Sequence, residues 1–240
     1  MSRAPYADLR EFIAQVDALG VLRRIDGARS HLELGAITEV AAGRADCPAL
    51  LFDSIEGHAK GFRVFTNATT TPQRAALALG IDPALRPLDA LKEWKARRST
   101  LAMHKPRTIK AALFLENTRH GANVDLGLFP APHWHKGDGG PFIGSGSIAV
   151  MRDPDTGWIN ASIYRMQVHG RDRLTLQFDH QGRHGDAQAH EARPALRAAD
   201  GANRRRQDQR HGQHRQHDRQ GRAGSKSRVD AWIENGRHPP

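Results

Sequence analysis

The sequence holds a single cysteine and no long apolar run. One cysteine, Cys47, excludes an internal disulfide, and we expect a buried, unreactive thiol rather than a nucleophile. No stretch approaches the roughly eighteen consecutive apolar residues that a membrane-spanning helix needs. The N-terminus also lacks a basic segment followed by an apolar one. These absences predict a cytoplasmic protein that has no membrane partner.

The positive charge is concentrated near the C-terminal end of the sequence. The 240 residues have a formal net charge of +10, and residues 183–240 contribute +6 of it, from 12 Arg and 1 Lys against 7 Asp and Glu. Between residues 184 and 228, Leu196 is the single large apolar residue. Such a segment cannot bury enough apolar surface to offset its conformational entropy. We therefore expect residues 186–240 to form a disordered, Arg/Gln/His-rich tail.

Helix and strand signals alternate over residues 1–107 and predict an α/β domain. Apolar residues recur at helical spacing in ADLREFIAQVDALG, and Gly20 should end that helix. HLELGAITEVAAGR and PLDALKEWKARR indicate further helices, whereas VLRRID, ALLFDSI and FRVFTNAT indicate strands. Thr71 as N-cap and Pro72 as first helical residue should start one more helix.

The pattern changes to strands over residues 108–185. TIKAALFLE, GSGSIAVMRD, WINASIYRMQVHG and RLTLQFD are β-like, and the turns DPDTG and HGRDR indicate two consecutive hairpins. An antiparallel meander of this kind is typical of a barrel wall. The predicted fold class is therefore α+β, with an N-terminal α/β domain followed by an incomplete antiparallel β-barrel.

Alternation along INASIYR places Arg165 on the same strand face as Ile159, Ala161 and Ile163. A charged side chain among apolar neighbours needs a partner such as a carboxylate or a phosphate. The alternative is an edge-strand arginine whose stem packs while its guanidinium reaches water. Periodicity by itself favours this second interpretation.

The stretch HWHKGDGGPFIGSG brings together His133, His135 and Asp138 and suggests a metal site. A zinc site usually has a fuller ligand set than this. The glycines could also let backbone amides approach an anion, but no strand, GxGxxG and helix occur here in succession. A tight, solvated loop is the simpler interpretation.

Several separate motifs, in order along residues 8–185, resemble the UbiD family of reversible decarboxylases, which use prenylated FMN. They are DLREFIAQVDALGVLRRID, PALLFDSIEGHAKGFRVFTN, VDLGLFPAPHW and the long stretch from GSGSIAVMRD through NASIYRMQVHG to RLTLQF. The resemblance implies that the second domain is a split β-barrel of the flavin-binding type.

The resemblance also implies roles for individual residues. Asn160 matches a ligand of a divalent metal, Mn²⁺ or another divalent cation with K⁺ as a further candidate, and His184 resembles a second ligand. Arg165 matches the catalytic arginine that forms an ion-pair network with glutamates beside the substrate carboxylate. The positions that match residues around the flavin are Ile163, Tyr164, Arg165, Gln177, Phe178, Asp179, Arg183 and His184.

The implied function is that of a carboxy-lyase, which decarboxylates an aromatic or α,β-unsaturated carboxylic acid on prenylated FMN without oxidation. A flavin prenyltransferase would supply the cofactor, and the intact protein would form a homo-oligomer. Amide, carboxylate and phosphate oxygens suit a hard cation such as Mn²⁺. A guanidinium can hold a carboxylate by two parallel hydrogen bonds.

Residues 186–240 depart from the family. After GRHG, the family continues with a segment of the type PVAVVIGxDP, and the later family sequence supplies a metal-ligating glutamate and the catalytic acids. The tail could be a nucleic-acid-binding arm or a His-rich metal tract. We favour a frame-shifted segment, because Gln, His and Arg codons of a GC-rich gene become Ser, Thr and Ala codons one base over. We therefore expect little or no activity from this chain.

Two other functions stay open at this point. One is a basic-tailed nucleic-acid-binding protein on a flavoprotein-like scaffold, although the tail has no aromatic residues interleaved for base stacking. The other is a generic FMN split-barrel reductase, against which the motif NASIYRMQ argues. Nucleic acid is accordingly not an expected partner in the leading interpretation.

Overall fold

The structure is a computed structural model of the chain, and it describes residues 5–102, 109, 111–153 and 155–176. The N-terminal part contains α1 (Leu9–Ala18), β1 (Leu22–Asp26), α2 (Glu33–Ala42), β2 (Ala49–Asp53), β3 (Val64–Thr66), α3 (Pro72–Ala78) and α4 (Pro87–Ser99). Three short 3₁₀ helices follow, Leu113–Asn117, Gly121–Asn123 and Leu126–Leu128. The strands of the second part are β4 (Phe142–Gly144), β5 (Ile148–Arg152), β6 (Ile159–Ile163), β7 (Met166–Val168) and β8 (Leu174–Leu176).

The N-terminal part is built on a three-stranded sheet of order β1-β2-β3. β1 and β2 run parallel, with Leu22 opposite Ala49, and β3 pairs antiparallel with β2. The central strand β2 is buried on both faces, which explains why its sequence ALLFD is a continuous apolar run. The predicted alternation of helices and strands is confirmed here.

Helices cover both faces of this sheet. Alternate residues of β2 belong to different clusters: Leu50 and Phe52 pack with apolar residues of α2, whereas Ala49 and Leu51 pack with apolar residues of α1. The side of α1 that faces the sheet carries the residues whose helical spacing was apparent in the sequence. The core of the described chain therefore lies in the N-terminal part.

The predicted helix ends are also confirmed. Gly20 follows α1 with a φ of +71°, a conformation that glycine adopts without strain. Thr71 caps α3 by accepting a hydrogen bond from the backbone N–H of Arg74 at 3.4 Å, and Pro72 is the first residue of that helix. Cys47 is buried, as expected.

Arg74 is a buried cation that the sequence did not reveal. Its side chain is fully buried, and its guanidinium donates to the carbonyl oxygens of Asn67 at 3.1 Å and Cys47 at 2.8 Å. These two carbonyls belong to residues with positive φ at the ends of neighbouring loops. Arg74 therefore ties α3 to the loops that flank β2 and β3.

The second part contains two small antiparallel sheets, one of order β4-β7-β8 and one formed by β5 and β6. The hairpins β5–β6 and β7–β8 are joined at the two turns that the sequence indicated. The α+β class is confirmed. Within the described residues the strands do not close into a barrel, so the predicted split barrel stays a prediction.

Two details of the sequence prediction were wrong. The segment TIKAALFLE was expected to be a strand, but its last four residues belong to the 3₁₀ helix Leu113–Asn117. WINASIYRMQVHG was expected to be one strand, but it divides at Tyr164 and Arg165 into β6 and β7, which belong to different sheets. Alternation cannot detect such a division, because the period of two continues across it.

None of the helices in the described part of the chain is long and apolar enough to cross a membrane. The longest, α4, has 13 residues and carries several charged side chains.

Candidate functional site

Arg165 lies at the division between β6 and β7. β6 pairs with β5, whereas β7 pairs with β4 and β8, so the chain leaves one sheet and enters another at Tyr164 and Arg165. Neither residue belongs to a strand. The Arg165 side chain is 43 % exposed, and it lies against the loop that precedes β4.

Asp138 is the ion-pair partner of Arg165. Nη1 of Arg165 donates to Oδ1 of Asp138 at 3.1 Å, and Nη2 donates to Oδ2 at 2.9 Å. This arrangement is a bidentate pair, the geometry in which a guanidinium recognises a carboxylate. The structure combines the two interpretations of Arg165, because the guanidinium has a carboxylate partner and also reaches water.

The environment of Asp138 favours its charged form. Hydrogen bonds from Arg165 hold the pKa of the Asp138 carboxyl below its ordinary value, and partial burial opposes this effect without overcoming it. The backbone N–H of His135 also donates to Oδ2 of Asp138 at 3.2 Å. Asp138 is thus an ionised side chain at neutral pH.

An aromatic ring covers one face of the guanidinium. The guanidinium carbon Cζ of Arg165 lies 3.7 Å from the ring centroid of Phe142, the first residue of β4. A cation over the face of an aromatic ring is attracted by its quadrupole. Asp138 and Phe142 together fix both the direction and the plane of the guanidinium.

Glycines in the sequence DGGPFIGSG allow this arrangement. A Cβ atom on Gly140 would lie 3.0 Å from the side-chain nitrogen of Gln167 in β7, and one on Gly144 would overlap the end of Met166. Gly140 also has a φ of +159°. The sequence raised anion binding as one role for these glycines. In the structure they let the loop and β4 approach β7, which brings Asp138 to Arg165.

The N-terminal part anchors the start of this loop. The backbone N–H of Leu32 donates to the carbonyl of His133, and the N–H of His133 donates to the carbonyl of Ser30, each at 2.9 Å. A Cβ atom on Gly35 of α2 would lie 2.7 Å from the carbonyl carbon of Trp134. The loop therefore sits directly on the N-terminal end of α2.

His133, His135 and Asp138 do not form the metal site that their spacing suggested. The His133 ring stacks edge-on against His31, with centroids 4.9 Å apart, and its Nε2 lies 3.2 Å from the backbone carbonyl of Asp138. The carboxylate of Asp138 is taken by Arg165. Among the described residues, no group of three or more His, Cys, Asp or Glu side chains could hold a metal ion.

Asn160 and Tyr164 are neighbours on one side of β6. Nδ2 of Asn160 donates to the Tyr164 hydroxyl at 3.0 Å, which leaves Oδ1 of Asn160 available as an oxygen ligand. One neutral oxygen is not enough to hold Mn²⁺, which prefers several oxygen ligands. The described residues alone therefore do not make up the predicted cation site.

Ile163 lies on the opposite face of β6, and its side chain is 62 % exposed. Cross-strand pairing puts it opposite Ile148, and Val150 and Ile159 share the same exposed face of the β5–β6 hairpin. We call these four residues the apolar hairpin face. These residues form an exposed apolar surface beside Arg152, the cross-strand neighbour of Ile159, and Tyr164 and Arg165 follow it in the chain.

Five of the predicted site residues lie outside the described part of the chain. They are Gln177, Phe178, Asp179, Arg183 and His184. The predicted tail, residues 186–240, also lies outside it. The structure brings together Asn160 with Tyr164 and, separately, Arg165 with Asp138 and Phe142.

The sequence grouped Asp138 with His133 and His135, with a solvated loop as the favoured interpretation, and it did not single out Phe142. The only signal for Asp138 was an acidic residue followed by two glycines, a combination that allows a close backbone approach. Nothing in the sequence linked it to an arginine 27 positions away. Periodicity drew attention to Arg165 as a charge on an apolar strand face, but its role in a site came from the family resemblance.

Two matches to known domain families cover most of the chain. Residues 13–94 match the 3-octaprenyl-4-hydroxybenzoate carboxy-lyase N-terminal domain, and residues 107–199 match the Rift-related domain of the same enzymes. Both matched families are domains of one class of enzymes, the 3-octaprenyl-4-hydroxybenzoate carboxy-lyases. The chain belongs to the UbiD family. Its second match continues past residue 185, where we expected the resemblance to end.

Solved structures of UbiD-class enzymes have the same fold. The open form of vanillic acid decarboxylase from Sedimentibacter hydroxybenzoicus is 30 % identical, with a TM-score of 0.62 over 72 % of this chain. HmfF from Pelotomaculum thermopropionicum, in complex with FMN, is 27 % identical, with a TM-score of 0.56 over 72 % of this chain. The chain spans 36 % and 37 % of the lengths of these two proteins.

A third structure supports the fold alone. The apo 3,4-dihydroxybenzoic acid decarboxylase from Enterobacter cloacae is 24 % identical, with a TM-score of 0.57, and the match covers 76 % of this chain and 39 % of that one. In each of the three comparisons, about three quarters of this chain matches less than two fifths of a longer chain.

Proposed function

We propose that this chain carries the N-terminal domain and part of the flavin site of a non-oxidative carboxy-lyase. The substrate class is an aromatic or α,β-unsaturated carboxylic acid, and Arg165 holds its carboxylate. The observation that carries this proposal is the bidentate pair of Arg165 with Asp138, because it leaves a solvent-accessible, oriented guanidinium in a UbiD-family chain. A guanidinium held in this way is suited to carboxylate recognition.

Similar enzymes support the substrate and the cofactor. A vanillic acid decarboxylase at 30 % identity favours an aromatic acid, and HmfF has been seen with FMN and, in an evolved dimeric form, with prFMN. We include a homo-oligomer in the proposal because of that dimeric form. A flavin prenyltransferase would provide the cofactor.

The residues that would contact prenylated FMN fit a planar, anionic cofactor. Ile163 offers apolar surface beside Tyr164, and Arg165 offers a positive charge next to them in the chain. When bound, the cofactor supplies the electron sink for cleavage of the carbon–carbon bond. The chain's own part is to orient the acid and to neutralise its carboxylate. A cation at Asn160 would need ligands from beyond the described residues, and His184 is the candidate.

Asp138 does not suit the role of proton donor for the product. Asp138 is the acid that pairs with Arg165, and its lowered pKa keeps it ionised at neutral pH. A general acid needs a pKa near the working pH. We therefore propose that the 240-residue chain binds cofactor and acid but turns over little substrate by itself.

The test is co-expression of the 240-residue chain with a flavin prenyltransferase. We expect the purified protein to retain prenylated FMN, detected by absorbance and mass spectrometry, and to bind benzoate. Arg165→Gln should abolish benzoate binding, because it removes the guanidinium, while Arg171→Gln, at another ion-paired arginine of the second part, should not. Failure to bind flavin, or equal benzoate binding by both variants, would refute the proposal. Ready CO₂ release from vanillate would refute the expectation of low turnover.

A further inference from the structure

The guanidinium of Arg165 has two edges on which a carboxylate can bind. Asp138 occupies the end formed by Nη1 and Nη2. The side edge, formed by Nε and Nη2, has no partner at Nε within the residues that the structure describes, and the side chain is 43 % exposed. An arginine has five N–H donors in a fixed plane. Arg165 can therefore bind a second carboxylate while it keeps the first.

Asp138 is held more firmly than Arg165. Its side chain is 13 % exposed, and its carboxylate also accepts from the backbone N–H of His135. The loop that carries it is fixed at one end by hydrogen bonds between His133 and the N-terminal part, and at the other by the pairing of β4 with β7. Asp138 is thus a rigid reference point, whereas a free arginine side chain has many rotamers.

From this geometry we infer that Asp138 is a positioning residue for the carboxylate-binding arginine. It binds the end of the guanidinium permanently, Phe142 covers one face, and the Nε edge is presented to the ligand. Arg165 then holds two carboxylates at once, one from the protein and one from the acid. This inference rests on the proposed role of Arg165 and adds the residue that makes its orientation specific.

The alternative is that Asp138 and the ligand compete for the same edge of the Arg165 guanidinium. If Asp138 were a competitor, the ligand would displace it from Nη1 and Nη2, and the loop would release Arg165. Burial of Asp138 and its additional hydrogen bond argue against displacement. Displacement would leave a partly buried carboxylate without a cation to offset its charge, which is unfavourable. The two relationships are distinguishable by following Asp138 and Arg165 separately.

The experiment is NMR on the isotope-labelled 240-residue chain, with the Arg165 Nε–Hε signal assigned by its loss in Arg165→Lys. Without ligand, we expect the Arg165 Nε–Hε bond to be as rigid as an ordered backbone amide, with an order parameter of about 0.85. In Asp138→Asn, we expect this order parameter to fall below about 0.6. Asp125→Asn is the matched control: it removes the same charge from another aspartate paired with an arginine, and should leave Arg165 ordered. Retained exchange protection of the buried strand β2 verifies that each variant is folded.

Benzoate provides the second part of the experiment. We expect it to shift the Arg165 Nε–Hε signal while the carboxyl carbon of Asp138 keeps its ion-paired chemical shift. Movement of the Asp138 signal to the position of a free aspartate would overturn the inference in favour of competition. Equal Arg165 Nε–Hε order parameters in wild type and Asp138→Asn, both measured without ligand, would also overturn the inference. Absence of any shift at Arg165 would instead refute the proposed carboxylate binding, and the ligand-free comparison still decides the role of Asp138.

Discussion

Gly35→Ala tests whether α2 carries the loop that contains Asp138. The added Cβ would lie 2.7 Å from the carbonyl carbon and 2.9 Å from the Cα of Trp134, and would overlap the carbonyl oxygen. Carbon atoms in contact prefer about 3.5–4.0 Å, so the two backbones must separate by roughly an ångström. The neighbour is backbone and cannot rotate away as a side chain could.

The size of the effect follows from two opposing contributions. Overpacking costs about 1–3 kcal/mol, and rigid backbone on one side of the contact favours the upper value. Alanine gains about 1 kcal/mol over glycine within a helix. The net loss is about 2 kcal/mol, which is roughly a thirtyfold change in an equilibrium constant. We expect it to appear as detachment of the loop rather than as unfolding of the sheet.

Hydrogen exchange measures this detachment directly. In Gly35→Ala the amides of Leu32 and His133, which bond across the contact, should exchange roughly thirtyfold faster, because about 2 kcal/mol is lost. Amides of the buried strand β2 should keep their protection. The control is Gly43→Ala at the other end of α2, where φ is −80° and the nearest atom to a Cβ is 3.6 Å away. Identical exchange at His133 in the two variants would refute the reasoning.

Three further predictions concern the core, the ion pair and the hairpin. Phe52→Ala should lower the free energy of unfolding by about 3–5 kcal/mol in urea titration, because it empties the fully buried centre of the sheet, whereas the exposed Leu9→Ala should change it by less than about 0.5. Folding lowers the pKa of Asp138, so the unfolded state binds more protons in acid. The stability that the ion pair contributes is therefore complete above about pH 4 and is lost as the pH falls further. Asp138→Asn should lack this loss when its unfolding is followed in an acid titration. Replacing Ile148 and Val150, 65 % and 70 % exposed on the apolar hairpin face, with Thr should reduce self-association in sedimentation, and unchanged sedimentation would contradict this.

The sequence predicted those elements whose signals are local. The spacing of Phe12, Ile13 and Val16 defines one face of α1, and Thr71 with Pro72 marks the first turn of α3, because capping involves residues three positions apart. The strand β2 could be located because both of its faces are apolar. In each case the physical cause lies within about ten neighbouring residues.

The parts that could not be predicted depend on contacts between distant segments. A short apolar run such as the one in Leu113–Asn117 does not decide between a strand and a 3₁₀ helix. The partner of Arg165 is set by the pairing of β4 with β7 and by the docking of the preceding loop on α2, neither of which has a sequence signature. The resemblance to the UbiD family located Arg165 in a site, but only the folded chain connects it to Asp138.

The same contacts link the N-terminal part to the candidate site. α2 supports the loop at Gly35, the loop holds Asp138, and Asp138 orients Arg165. Each step is a direct contact between backbone or charged groups, so a change at the first should reach the last. We therefore expect Gly35→Ala to reduce the order of the Arg165 guanidinium and weaken benzoate binding, although the two residues share no contact. If the loop detaches while Arg165 stays ordered, Asp138 cannot be the residue that positions it.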